Sequence, residues 1–143
     1  MSDIKPIRVL HIITRMIVGG AQENTLLSVE GLDKLPEYEV TLASGVDNGP
    51  EGELLSRART TTRLVIIPEL GRDISPLADL KAFWKLYRVI KRGRYHIVHT
   101  HSSKAGVLGR IAAIGRDKSL SLQLRGCRTA AAVHDYLQEL DRR

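Results

Sequence analysis

Apolar and polar positions alternate along this chain with a period that switches repeatedly. Residues Ile7 to Thr14 (IRVLHIIT) are a short, mostly apolar, β-branched run, the pattern of a strand covered on both faces of a parallel sheet. A loop ending in Gly19-Gly20 follows, and Ala21 to Leu32 then carries Leu26, Leu27 and Val29 among good helix formers. Tyr38 to Ser44 (YEVTLAS) predicts a second strand before the Gly45 to Pro50 turn cluster, and Glu51 to Arg59 a short helix with Leu54, Leu55 and Ala58 as its stripe. Leu64 to Ile67 predicts a third strand, stopped by Pro68. Pro76 is placed to open a helix running to about Arg92, with Leu80, Phe83, Trp84, Tyr87 and Ile90 as its apolar face and Gly93 at its stop. His96 to Thr100 (HIVHT) predicts a fourth strand, and Ala105 to Ile114 an Ala- and Leu-rich helix.

Four βα repeats in series imply a Rossmann-like, doubly wound α/β fold with a parallel sheet and right-handed crossovers. The pattern weakens from Gly115 onward. Ser119 to Leu124 (SLSLQL) alternates as an exposed edge strand does, and Thr129 to Leu140 has amphipathic helical spacing.

Composition narrows this picture. At 143 residues the chain holds one domain, since two doubly wound halves need roughly twice that length. Aromatic residues make up only 4%, so the core is aliphatic, which suits strands buried between helices. A net charge of +6 favours anionic partners without choosing among them. The single cysteine, Cys127, has no disulfide partner, which points to a reducing, cytoplasmic setting. The apolar stretch from Ile7 to Val18 is broken by Arg8, His11 and Arg15, so it reads as neither a signal peptide nor a membrane span.

In open parallel sheets ligands bind beyond the carboxyl ends of the strands, which directs attention to two loops. After the first strand, Gly19 and Gly20 lead into a helix whose N-terminal N–H groups and dipole suit a phosphate; the same glycines also suit a plain tight turn. After the fourth strand, His101, Ser102, Ser103 and Lys104 bring imidazole, hydroxyl and ammonium groups together, though a serine here also serves as a simple N-cap. His99 and His101 point the same way, but two histidines lack further ligands at useful spacing, so no metal is expected. The chain has no G-x-x-x-x-G-K-[ST] or G-x-G-x-x-G motif, and Ser44-Gly45 stands where an acidic ribose ligand would end the second strand, which argues against a nicotinamide dehydrogenase. Lys81, Lys85, Arg88 and Arg92 form a basic stripe that is either a solvated face or a surface for an anionic membrane. No aromatic residues are interleaved on the basic side for base stacking, so nucleic acid is not an expected partner.

Taken in order, IRVLHIITRMIVGGAQENTLLSVEGL, YEVTLASG with GPEGELL, VIIPELGRDISPLADLKAFWKLYRVIK and HIVHTHSSKAGVLGR resemble the opening of bacterial family 4 glycosyltransferases of the GT-B type, over about Ile7 to Ala113. The resemblance implies an acceptor-side N-terminal domain of an enzyme that moves a sugar from a nucleotide-sugar donor to a lipid-linked or polysaccharide acceptor, with no cofactor and no required metal. It implies that Gly19 and Gly20 reach the donor diphosphate, and that His101, Ser102, Ser103 and Lys104 line the cleft near the acceptor or the phosphates; it assigns no catalytic residue. Family members continue into a buried fifth strand, a His-containing loop and a second domain with an E-x7-E segment, where this chain has GRDKSLSLQLRGCRTAAAVHDYLQELDRR. The expectation is therefore a partial domain over 1–115 and an atypical tail over 116–143, frameshifted or disordered or helical. Such a truncated chain is expected to be inactive alone, cytoplasmic, and peripheral at the inner face of the plasma membrane. The alternative is a non-catalytic flavodoxin-like module for an anionic phosphorylated ligand or membrane surface.

Overall fold

The computed structural model describes residues 5–46, 52–71, 73–114 and 121–123; the expected helix over 129–140, Cys127 and most of the 116–143 tail lie outside them. Strands β1 (Ile7–Ile13), β2 (Tyr38–Ser44), β3 (Arg63–Ile66), β4 (Ile97–Thr100) and β5 (Ser121–Gln123) form one sheet in the order β3-β2-β1-β4-β5. Every pairing is parallel. The doubly wound α/β architecture follows, and the alternating segment around residues 119–124 supplies the short edge strand beside β4.

Helices α1 (Gly20–Asp33), α2 (Gly52–Thr61), α3 (Pro76–Gly93) and α4 (Ser103–Ile114) connect the strands. Because successive side chains of a strand point to opposite faces, the sheet feeds two cores. Leu10, Ile12 and Val98 pack on the α3 and α4 side with Leu86, Ile90 and Ala112. Ile13, Val40 and Leu42 pack on the other with Leu26 and Val29 of α1 and Leu54 and Ala58 of α2. Close approach is purchased by small residues at two places. A Cβ on Gly109 would lie 3.0 Å from Thr100 Cγ2 and 3.1 Å from Ile12 Cδ1, so α4 rests almost directly on β1 and β4. A Cβ on Gly45 would lie 2.0 Å from the Leu70 carbonyl oxygen and 2.3 Å from that of Thr14, where the Gly45 N–H also donates to Thr14 O at 3.1 Å.

Three local expectations change. The inward face of α3 is Ala82, Leu86 and Ile90, with Phe83 and Tyr87 half-buried, whereas Leu80 and Trp84 stand 55% and 53% exposed. The stripe is turned because α3 packs against the small-residue helix α4, and the aromatic side is left at the margin. There Phe83, Trp84 and Tyr87 contact one another, with ring centroids 5.4 Å apart for the first pair and 5.9 Å for the second. Leu27 on α1 is likewise exposed. Finally, α3 includes Gly93 and ends in a left-handed Arg94 (φ 47°), while the missing Cβ of Gly93 makes room for the Tyr95 ring.

Candidate functional site

The order of the sheet decides where a ligand fits. From β1 the chain crosses toward β2, and from β4 it crosses toward β5, so the loops leaving these two neighbouring strands diverge and open a crevice at their carboxyl ends. A cavity of about 620 Å³ lies there. Thr14 and Arg15 line it from the end of β1, Gln22 from α1, Ser102, Ser103 and Lys104 from the start of α4, and Ile74 and Asp79 from the α3 entrance.

Gly19 and Gly20 sit at the start of α1, whose Gln22 lines this cavity, but neither glycine is itself among the lining residues. Gly19 is the N-cap residue and makes no side-chain cap, and its carbonyl accepts the first helical bond from the Glu23 N–H at 2.9 Å. Neither glycine lies in the left-handed region; Gly19 is extended, with φ 170°. A Cβ on Gly20 would meet nothing within 4 Å, and one on Gly19 would meet only the tip of the Gln22 side chain. The protein's own packing therefore does not require glycine at position 20, unlike position 45; the bare backbone leaves open space at the positive end of the helix dipole.

Ser102 precedes α4, and its hydroxyl accepts weakly from the Ala105 N–H at 3.4 Å while its carbonyl accepts from the Gly106 N–H at 2.7 Å. Lys104 is held rather than loose. Its ammonium forms an ion pair with Asp79 Oδ1 at 2.5 Å and donates to the Asp73 carbonyl, with both charged side chains largely buried. The Ser75 N–H donates to the other Asp79 oxygen at 3.3 Å. An anionic ligand reaching Lys104 must compete with a carboxylate that the sequence did not mark. Asp79 reads there as an ordinary acidic residue in a first helical turn, and only the packing of α3 on α4 brings it to the cavity.

His101, expected to line the cleft, is instead held in a cluster of histidines and is not among the cavity's lining residues. Its Nε2 lies 2.8 Å from Nδ1 of His11, and its ring stacks on His99 with centroids 4.3 Å apart. His11 and His99 face each other in the β1–β4 register, both buried. Burial, with His99 beside it, brings His101 down to about 3. Burial also lowers His99, and burial together with His101 and His99 holds His11 well below the ordinary imidazole range. All three rings are neutral at pH 7, so they offer hydrogen-bonding N–H groups and lone pairs but no positive charge. His11 was missed because one polar residue in an apolar strand reads as an interruption; its partners emerge only from strand register.

Comparison with known proteins gives consistent findings. The model of the glycosyl transferase 4-like domain matches residues 19–143. A UDP-Gal:alpha-D-GlcNAc-diphosphoundecaprenol alpha-1,3-galactosyltransferase from Escherichia coli is 35% identical over 114 residues, covering 78% of this chain and 28% of that protein. The crystal structure of MurG from Acinetobacter baumannii is similar with a TM-score of 0.60 at 18% identity, over 92% of this chain and 39% of that one. The likeness to MurG is one of fold. The chain thus spans well under half the length of these two relatives.

Proposed function

We propose, for a chain that belongs to the glycosyl transferase 4-like family, that it forms the acceptor-side half of an enzyme that transfers a sugar from a nucleotide-sugar donor to a lipid-linked or polysaccharide acceptor. The observation that carries this reading is the cavity at the β1–β4 switch point, with an uncapped helix start on one wall and a Ser-Ser-Lys helix start on the other. In this reading the open backbone at Gly19 and Gly20 receives the donor diphosphate, whose charge suits helix N–H groups. Ser102, Ser103 and Lys104 contact the acceptor or its phosphates, and His101 shapes their loop from behind as a neutral ring. The match covers 28% of the galactosyltransferase's length.

The similar galactosyltransferase takes its name from a diphosphoundecaprenol acceptor, which supports an acceptor of the polyprenyl-diphosphate class here as well. Such a substrate lies in a membrane, and no described helix is long and apolar enough to cross one. A cytoplasmic, peripheral position at the inner face of the plasma membrane fits both. Transfer assays with UDP-sugars and a polyprenyl-diphosphate sugar, run with and without a separately supplied donor-binding domain, test the reading. Turnover is expected only with both parts present. Robust turnover by this chain alone, or none with both parts folded, would overturn it.

A further inference from the structure

The three neutral imidazoles of the β1–β4 seam make an unusual group beside a cavity whose charged lining is Arg15, Asp79 and Lys104. His11 and His99 are direct register partners on adjacent parallel strands, and His101 follows two positions on, so all three project from one face of the sheet. Each offers a nitrogen, and these nitrogens lie within 4.8 Å of one another. No carboxylate belongs to the group among the described residues. The rings are buried or nearly so, and the hydrogen bonding inside the group does not close. Only His11 Nδ1 and His101 Nε2 pair, while the buried Nε2 of His11 has no partner. Two neutral rings sharing one hydrogen leave that atom either as an unused lone pair or as an N–H without an acceptor, which is a costly state for a buried polar group.

We propose that His11, His99 and His101 are the ligands of a first-row divalent metal ion, zinc or one of similar preference. An all-imidazole donor set favours zinc, cobalt, nickel or copper over magnesium or calcium, which seek oxygen. Ligands about 2.0–2.1 Å from a tetrahedral zinc sit about 3.3 Å from each other, so nitrogens at the 4.8 Å limit draw in while His11 Nδ1 and His101 Nε2, 2.8 Å apart, open slightly or bind through their other ring nitrogens. Rotation about χ2, a soft torsion in histidine, supplies such a change. The rings are already in the unprotonated form that metal ligation requires. The ion joins the end of β4 to β1 one residue before Ser102, and so fixes the start of the Ser-Ser-Lys turn. This role is architectural and does not depend on the assignment of glycosyl transfer.

The test is metal binding by the full-length, untagged, chelator-treated chain, with Co²⁺ as a spectroscopic probe and Zn²⁺ as competitor. One Co²⁺ per chain is expected, with the visible absorption of an imidazole-ligated, low-coordinate ion that Zn²⁺ abolishes. His101→Gln alters the least buried of the three rings, and His99→Asn a second; each is expected to weaken Zn²⁺ binding by about tenfold or more. His96→Gln, outside the group, is the control and leaves binding unchanged. Circular dichroism of each metal-free variant confirms that it is folded, and if His99→Asn is not, His101→Gln alone carries the comparison. Failure to take up one equivalent of Co²⁺ or Zn²⁺, uptake that persists undiminished in folded His101→Gln, or uptake lost in His96→Gln would each overturn the site.

Discussion

A neutral, buried imidazole has a measurable signature in the response of stability to pH. His101 sits near 3 in the folded chain because burial and its neighbour His99 oppose its charge, against about 6.5 when unfolded. Between those values the unfolded chain binds a proton that the native state refuses. The stability contributed by the neutral ring is therefore complete above about pH 6.5 and is lost as the pH falls toward 3. For His101 alone the loss from about pH 6 to about pH 5 is about 1 kcal/mol, and His11 and His99, shifted in the same direction, steepen it. Urea midpoints of the metal-free protein should fall accordingly over this range, with a shallower fall in His101→Gln. A wild-type midpoint that stays level from about pH 7 to about pH 5 would show that the rings are not held neutral.

At the level of elements, two glycines that look alike in the sequence carry opposite expectations. Gly45 follows β2 with carbonyl oxygens 2.0 and 2.3 Å from where a Cβ would stand, and backbone cannot turn aside as a side-chain tip can. Gly45→Ala should destabilise the fold by about 3 kcal/mol in chemical denaturation. Gly20→Ala opens onto empty space in the first turn of α1 and should leave stability within about 0.5 kcal/mol, while lowering transfer when the chain is assayed with a donor-binding domain. Equal stability losses in the two variants would contradict this division. The β-branched runs made β1 to β4 and the positions of their following loops legible, because buried parallel strands leave a strong compositional mark. The orientation of α3 was not, since its inward face is set by the shape of α4 rather than by its own most apolar side chains. The site divided the same way. Of the predicted loop residues, Ser102, Ser103 and Lys104 do line the cavity and were readable from position after a strand, but Asp79 and His11 acquire meaning only through contacts with residues 25 and 90 positions away.

For the molecule as a whole, the misjudged side of α3 becomes a surface property. Leu77, Leu80 and Trp84 are exposed along it, Ile74 just ahead of it is 89% exposed, and Lys81, Lys85 and Arg88 border a shallow groove of about 550 Å³ formed with Leu80 and Trp84. Lys85 is already paired with Glu69 at 2.6 Å, which leaves Lys81 and Arg88 as the cations better placed for an anionic surface. An apolar ridge flanked by positive charge is the arrangement by which a helix lies in a lipid interface, and Ile74 also lines the cavity at the switch point, so a membrane-held acceptor would have a short path to the site. Trp84 is the only tryptophan in the chain, so its emission reports on this surface alone. Vesicles containing phosphatidylglycerol should shift that emission to the blue and carry the protein down on sedimentation, whereas purely zwitterionic vesicles should do so weakly. With roughly 1 kcal/mol per basic residue near an anionic surface, Lys81→Glu combined with Arg88→Glu should weaken binding by at least about tenfold. If the double variant binds as the parent does, or if Trp84 emission is unmoved while protein still sediments, the contact lies elsewhere and the exposed side of α3 does not bring the cavity to the bilayer.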